Sequence, residues 1–540
     1  MKFSLIVSLL LAVSSATAAG QEMKPPRLSA AAVDWAGALD TLAGNEALRP
    51  AALAARSRRT RSSLSVPPVL ARLNAVTTPR FPDIARSPVP VLLPFDVGAL
   101  LRDQAAGAAA ESNQRYLAGF HTRSFFFPGP AGYAAAFAIR VSEIDEFSDA
   151  RFAEPISVHI SGSALLYELD EPAATAGTPV PALEAEFPGI RRLIHEHHLR
   201  YTFVRFGVPY AVSIGCFNAG VSRYRMPTCR LADRVALRFL RALQIAGGTP
   251  EPQRPVEPLA LERPADISPT FSYHAPGRLL PGTGFRSLNG RTDTTAYSQI
   301  RFPVAVAPAF VNSQMFQSRN KPLAPGHSPN YAYPWRDNFC ERRGFPVGQC
   351  PAGNGHQGQD IRTPPCTPEP GASRCTLDRD VVAVRDGAIL RAPGQEAAYL
   401  YVNTAREHLR FRYLHMHPRK MDDDGLLSGR LVNEGEVIGR IGNFSKKEGG
   451  TSYHLHFDVQ VPTKDGWVFV NPYMTLVSSY ERLIGARGEQ VLEPTLLANS
   501  DTTASLGRSV HLEPEASNGQ KRRAAKYGKR KKHKRRFARH

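Results

Sequence analysis

From Tyr453 to Val461 the chain reads Tyr-His-Leu-His-Phe-Asp-Val-Gln-Val, an unbroken alternation of apolar and polar residues. Successive side chains of a strand point to opposite faces. Tyr453, Leu455, Phe457, Val459 and Val461 therefore share one face, and His454, His456, Asp458 and Gln460 share the other. The pattern demands a sheet with one apolar face and one face that offers two neighbouring imidazoles to a single atom. The HxH pair alone is a weak signal, since it occurs at His195/His197, His415/His417 and His454/His456.

Two other stretches add to it. His356-Gln357-Gly358-Gln359-Asp360 separates a histidine from a carboxylate by three residues. Zinc takes both donor types, and catalytic zinc sites use three protein ligands plus a water. One HxxxD with one histidine of an HxH pair supplies that number, although His356 and Asp360 taken alone read better as ordinary loop residues. From Leu409 to His417, Phe411, Tyr413, His415 and His417 alternate with Arg410, Arg412, Leu414 and Met416. A turn over Thr404–His408 joins this run to Ala398–Val402, so a hairpin is expected.

The rest of the chain sets the frame. Its 540 residues are enough for two or three domains, and 42% hydrophobic against 21% charged residues excludes wholesale disorder. Residues 19–87 are Ala-, Arg- and Pro-rich with a basic knot at Arg56, Arg58, Arg59 and Arg61, and read as a flexible segment with some helix. Residues 88–248 read as an α+β domain of unknown role, with a strand at Val89–Leu93, helix over Val97–Leu117, alternation over Ile156–Leu169 and an amphipathic helix over Asp233–Ile245. The Pro-rich stretch 249–299 reads as a linker. Residues 300–485 carry short runs punctuated by Gly, Pro and Asn, which predicts an all-β, antiparallel domain. Residues 486–540 read as a disordered basic tail. The net charge is +19, and residues 521–540 hold twelve Lys/Arg and no acid, so the excess belongs mostly to the tail.

Lys2, the apolar run Phe3–Val13 and Ala16-Thr17-Ala18 read as an export signal over residues 1–18. No later run reaches the ~18 apolar residues of a membrane span. Export implies an oxidising compartment, periplasmic or extracellular, and the six cysteines fall as near neighbours: Cys216/Cys229, Cys340/Cys350 and Cys366/Cys375. Local disulfides are expected. A zinc cluster is the rival reading, and no CxxC supports it.

The order His356/Asp360, then Tyr413-Leu414-His415, then His454-Leu455-His456-Phe457-Asp458 resembles the lysostaphin/LytM-type zinc metallopeptidases, which cut peptide cross-links of bacterial cell walls. Val384-Arg385-Asp386-Gly387 and the Gly-punctuated Gly435–Gly442 match the texture of that family. The resemblance covers roughly residues 300–475. It implies one zinc per chain on His356, Asp360 and His456, with His454 as base and His415 as transition-state stabiliser, roles the sequence itself cannot separate. His417 is the alternative to His415. The resemblance further implies that the substrate is the peptide cross-bridge of peptidoglycan. Two departures stand out. The passage Arg362–Arg379 is long and contains Cys366 and Cys375, and Tyr453 stands where the family often has glycine.

His195-Glu196-His197-His198-Leu199 fails as an HExxH helix motif because Leu199 occupies the second ligand position. The basic tail has charge enough for an anionic envelope component; with Tyr527 and Phe537 as its aromatics and no nucleic-acid fold beside it, no nucleic-acid partner is expected. A reading from another class is a non-catalytic relative that binds the wall and activates other hydrolases. Intact ligand positions argue for the enzyme.

Overall fold

The structure is a computed structural model. It describes residues 22–48, 66–107, 113–170, 177–195, 198–217, 226–252, 256–257, 259–313, 329–364, 379–464 and 466–492. The expected export signal, the basic knot, Cys366, Cys375 and residues 493–540 of the expected tail lie outside them, while the start of the stretch read as a disordered tail forms a strand, Arg487–Val491. The described residues fall within one compact unit that ends at Leu492.

Two antiparallel sheets dominate. The N-terminal sheet has seven strands, in the spatial order His121–Gly129, Gly132–Ile139, Ile156–Ser163, Val208–Gly215, His198–Arg205, Arg191–His195 and Thr178–Pro179. Its inner face packs Tyr133, Ala135, Phe137, Val158, Ile160 and Val212 against the helix Cys229–Arg241. That helix starts under Thr228, whose side chain accepts from Leu231 N, and buries Val235, Ala236, Phe239 and Leu240. The α+β texture expected of 88–248 is present, with the helix expected over Val97–Leu117 ending at Ala105 and a 3-10 turn at Asn113–Leu117.

Residues 19–87 hold the helix expected of them and, beyond expectation, a strand and core contacts. The strand Arg27–Ala30 pairs with Leu165–Glu168, and the helices Trp35–Ala43 and Pro68–Thr77 place Ala38, Leu42, Leu70 and Leu73 in the N-terminal core. Enough apolar residues recur at helical spacing to fold these parts of the segment despite its Ala/Pro composition. The stretch read as a Pro-rich linker also takes structure. Ile267–His274 pairs in parallel with Arg487–Val491, Phe271 and Tyr273 enter the second core, and Arg263 makes two 2.6 Å bonds to the buried carboxylate of Glu481.

The second sheet has eight strands. Its spatial order is Phe310–Val311, Gln359–Arg362, Leu455–Thr463, His408–Leu414, Ala398–Asn403, Gly387–Leu390 and Leu431–Val432, with Gly466–Val470 also paired to Leu455–Thr463. The hairpin expected around Thr404–His408 is formed, with Asn403 opposite His408. Leu455, Phe457, Val459, Val461, Phe411 and Tyr413 fill the core beneath. This region is not wholly β: Tyr473–Ile484 is a helix that buries Tyr473, Leu476, Val477 and Tyr480. Its apolar residues, spaced at both three and four, carry no strand-like alternation.

The sheets meet through Phe125, Ala134 and Ala136 of the first and Tyr399, Tyr401 and Leu414 of the second. Asn403 clamps the turn at Gly132, its amide nitrogen donating to Gly132 O at 2.9 Å and its oxygen accepting from Ala131 N at 3.0 Å. The cysteines Cys216–Cys229 and Cys340–Cys350 are disulfide-bonded. No helix among the described residues is long and apolar enough to cross a membrane.

Candidate metal centre

Register brings the motifs together. In the antiparallel pairing of Gln359–Arg362 with Leu455–Thr463, Asp360 lies opposite His456, and on the other side Leu414 lies opposite His456. His356 comes from the loop before Asp360. Its backbone is pinned to the disulfide-closed segment, with Cys340 N donating to His356 O at 2.8 Å and His356 N to Glu341 O at 2.9 Å. Gly358 is the residue that lets this loop close in. A Cβ there would stand 2.5 Å from Phe457 O and 2.8 Å from His456 Nε2, so only glycine permits the approach.

Each ring has one nitrogen committed and one turned inward. His356 Nδ1 donates to Asn338 O at 2.9 Å. His456 Nε2 donates to Asp458 Oδ2 at 3.2 Å, and that carboxylate is also paired to Arg412 Nε at 2.5 Å. These outer bonds fix the tautomers and leave His356 Nε2 and His456 Nδ1 facing one another at 2.9 Å. Asp360 Oδ1 lies 3.4 Å from His356 Nε2, 3.5 Å from His456 Nδ1 and 3.4 Å from His454 Nε2. Neither buried oxygen of Asp360 accepts a well-formed hydrogen bond.

Two imidazole lone pairs 2.9 Å apart beside a buried carboxylate require a positive charge between them. Without a metal a proton serves. Burial lowers the pKa of His456, but the neighbouring carboxylates of Asp360 and Asp458, the second accepting from Nε2, overcome it and raise the value to about 9. Burial would raise Asp360, yet the neighbouring His454 and His356 rings hold it well below the usual carboxylate range. Burial lowers His356. A cation held by His356, Asp360 and His456 would take the place of that proton, and the donor types present suit zinc. Among the described residues, these three are the one group of His, Cys, Asp and Glu placed to hold a metal ion.

The two histidines expected beside the metal are also brought in. His454 Nδ1 donates to Ser452 O at 2.7 Å, and His415 Nδ1 to Phe444 O at 2.8 Å. Their ring centroids are 4.6 Å apart, and His415 is 6.2 Å from His456. Burial and the nearby His454 and His456 rings hold His415 well below the ordinary imidazole pKa. The sequence places His415 on the same face as Phe411 and Tyr413, and here the structure differs. The strand ends at Leu414, and His415 adopts φ +75°. That left-handed residue breaks the alternation and turns the ring away from the core toward His454. Gly442 accommodates it, since a Cβ there would meet His415 O at 2.4 Å. His417, the alternative, instead packs on Phe444 and lines a cavity of about 300 Å³ with Met416, Phe444 and Tyr453. The pair His195/His197 falls partly outside the described residues, and Leu199 continues a strand rather than a helix.

Several supporting residues were not singled out from the sequence. Asn338 receives His356 through its carbonyl and accepts from Asp360 N through its side chain at 3.2 Å. Asp337 accepts from Gln359 Nε2 at 2.6 Å, Asn471 Nδ2 at 2.6 Å and Phe339 N at 2.8 Å, which ties the loop to the Asp360 strand. The trace of them in the sequence is a concentration of Asn, Asp and Gln between Asp337 and Asp360. Arg410 and Arg412 carried a clearer signal, two arginines at strand spacing on the face shared with Leu414.

No protein-family model matches this chain, and no curated protein does. Two solved structures align with part of it. A chain from Ruminococcus gnavus ATCC 29149, named as the glycyl-glycine endopeptidase lytM, is 24% identical, with 25% of this chain and 50% of that one covered and a TM-score of 0.18. The antimicrobial peptidase lysostaphin from Staphylococcus simulans is 22% identical, with 30% and 58% covered and a TM-score of 0.17. The chain thus spans half the length of the first and 58% of the second. Overlaps of this size fix neither family nor activity.

Proposed function

We propose that the chain is an exported zinc metalloendopeptidase that hydrolyses peptide cross-links of peptidoglycan. The observation that carries this reading is the facing pair His356 Nε2 and His456 Nδ1, 2.9 Å apart beside the unsatisfied carboxylate of Asp360. A bound zinc supplies an acidified water and polarises the scissile carbonyl. His454, with Nδ1 committed to Ser452 O, keeps Nε2 as the proton acceptor. His415, held neutral and tethered through Nδ1 to Phe444 O, takes positive charge only when a proton is delivered. Drawing that proton from solvent as negative charge develops, it would donate to the oxyanion of the tetrahedral intermediate, and His454 would return the proton taken from the water to the leaving amine as the C–N bond breaks. Asp458 and Arg412 keep His456 in the ligating tautomer. The order of the motifs supports the peptidoglycan substrate, and the two disulfides suit an oxidising compartment.

The test is zinc stoichiometry together with release of new amines from purified peptidoglycan, for wild type and His456→Ala. One zinc per chain and cleavage that falls to background in the variant are expected. A metal-replete wild type that holds no zinc and cleaves nothing overturns the enzyme and favours a wall-binding activator.

A further inference from the structure

The polar face of the ligand strand continues past the histidines to Asp458 and Gln460, and Gln460 meets a residue of the other sheet. Arg200, on the N-terminal strand His198–Arg205, is only 5% exposed. Its Nη2 donates to Gln460 Oε1 at 2.7 Å and its Nη1 to Trp467 O at 3.3 Å. Arg410 donates to the same Gln460 oxygen, from Nε at 2.9 Å and Nη2 at 2.5 Å. A carboxamide has one accepting end and one donating end. Two guanidiniums on the oxygen therefore decide which way the amide lies, and its nitrogen is left facing Asp458 Oδ1 at 3.3 Å. Asp458 Oδ2 then accepts from His456 Nε2, and His456 so held aims Nδ1 at His356 and Asp360.

We propose that Arg200 is a positioning residue for His456, acting through Gln460 and Asp458, so that the docked N-terminal sheet helps to build the metal centre. The proposal rests on the metal-centre reading above. Stability alone does not account for this arginine. Arg200, Arg410 and Arg412 are all buried around the carboxylate of Asp458, an excess of positive charge that opposes burial. Aromatic faces offset part of it, with Arg200 5.7 Å and Arg412 5.6 Å from the Phe469 ring and Arg410 5.2 Å from Trp467. The chain of bonds gives Arg200 a consequence at the ligand that packing does not.

The test uses the full chain and two variants. Arg200→Met removes the donor and one of the crowded charges. Gln460→Glu keeps the size, pairs with both arginines and removes the donor to Asp458. Zinc affinity is measured by competition with a chromophoric chelator, and the His456 Nε2–H resonance is followed in the metal-free, histidine-labelled chain. For Arg200→Met the zinc dissociation constant is expected to rise about threefold to tenfold, below the 10–100-fold typical of a direct partner of a ligand. The His456 resonance shifts or broadens in both variants, while melting temperatures stay near wild type. Unchanged zinc affinity and an unmoved resonance in a folded variant overturn the proposal. So does a lower melting temperature with both site readouts intact, which would assign Arg200 to packing. If wild type binds no zinc, the metal-centre reading fails, and the metal-free resonance still decides the role of Arg200.

Discussion

The strands Gly132–Ile139 and Leu455–Thr463 obey the same rule and end in different chemistry. Both are buried along their whole length. Each turns one set of side chains into a core, Tyr133, Ala135, Phe137 and Ile139 in the first and Leu455, Phe457, Val459 and Val461 in the second. The opposite faces differ. Ala134 and Ala136 are small and apolar and let Tyr399 and Tyr401 of the neighbouring sheet pack against them. His456, Asp458 and Gln460 are polar and just as buried, so each needs a partner. Asp458 finds Arg412 and Gln460 finds Arg200 and Arg410. The inward nitrogen of His456 faces His356 Nε2 and Asp360 Oδ1, an arrangement that could hold a metal ion. Alternation thus decides that there is a sheet, and the residues on its second face decide whether it packs or reacts.

The largest expected break in this comparison is His415→Ala. It removes a ring beside the site without touching the three proposed ligands, so cleavage should fall about 10²–10³-fold with zinc content unchanged. Loss of zinc with the activity would instead make His415 a ligand. The sequence made part of this legible. The HxH strand, HxxxD and the hairpin before His415 could be read because strand period and motif spacing are local properties. The turn of His415 could not, because strict alternation put it with Phe411 and Tyr413, and one residue at φ +75° reverses that assignment. Asn338, Asp337 and Arg200 were hidden for another reason. They reach the site through tertiary pairing across long sequence separations, and no local pattern encodes it.

The next effect sharpens the contrast from the packing side. Replacing Cys216 and Cys229 by serine opens a short loop at the start of the helix that covers the N-terminal sheet. About 3 kcal/mol of stability should be lost, read as a lower denaturant midpoint. Zinc content at 25 °C should be unaffected, and a parallel loss of zinc would show that the two sheets fold as one unit. Asp458→Asn acts on the reactive face instead. Asn can offer its nitrogen to His456 and so disturbs the tautomer, and zinc affinity should weaken 10–100-fold; the melting temperature should fall as well, because Arg412 is left buried without its charge partner. Equal affinity in variant and wild type would mean that His356 and Asp360 alone orient the third ligand.

The smallest effect lies at the seam between the sheets. His408 is fully buried, with Nδ1 2.7 Å from Ser163 Oγ and its ring 5.2 Å from Trp467. Burial first, with Arg410 nearby adding to it, pushes its pKa down to about 3. The unfolded chain binds that proton near pH 6.5 and the folded chain does not, so the contribution to stability is complete above about pH 6.5 and is lost progressively as pH falls toward about 3. Between pH 7 and pH 5 the loss from this group is about 2 kcal/mol. His408→Gln removes the titration and keeps a polar side chain toward Ser163. Urea denaturation of both proteins at the two pH values isolates the effect, because the ligand histidines titrate alike in each. Wild type should lose about 2 kcal/mol more than the variant on acidification. Equal losses would place His408 in a solvated seam, and the two sheets would then be less closely joined than Ala134 and Ala136 imply.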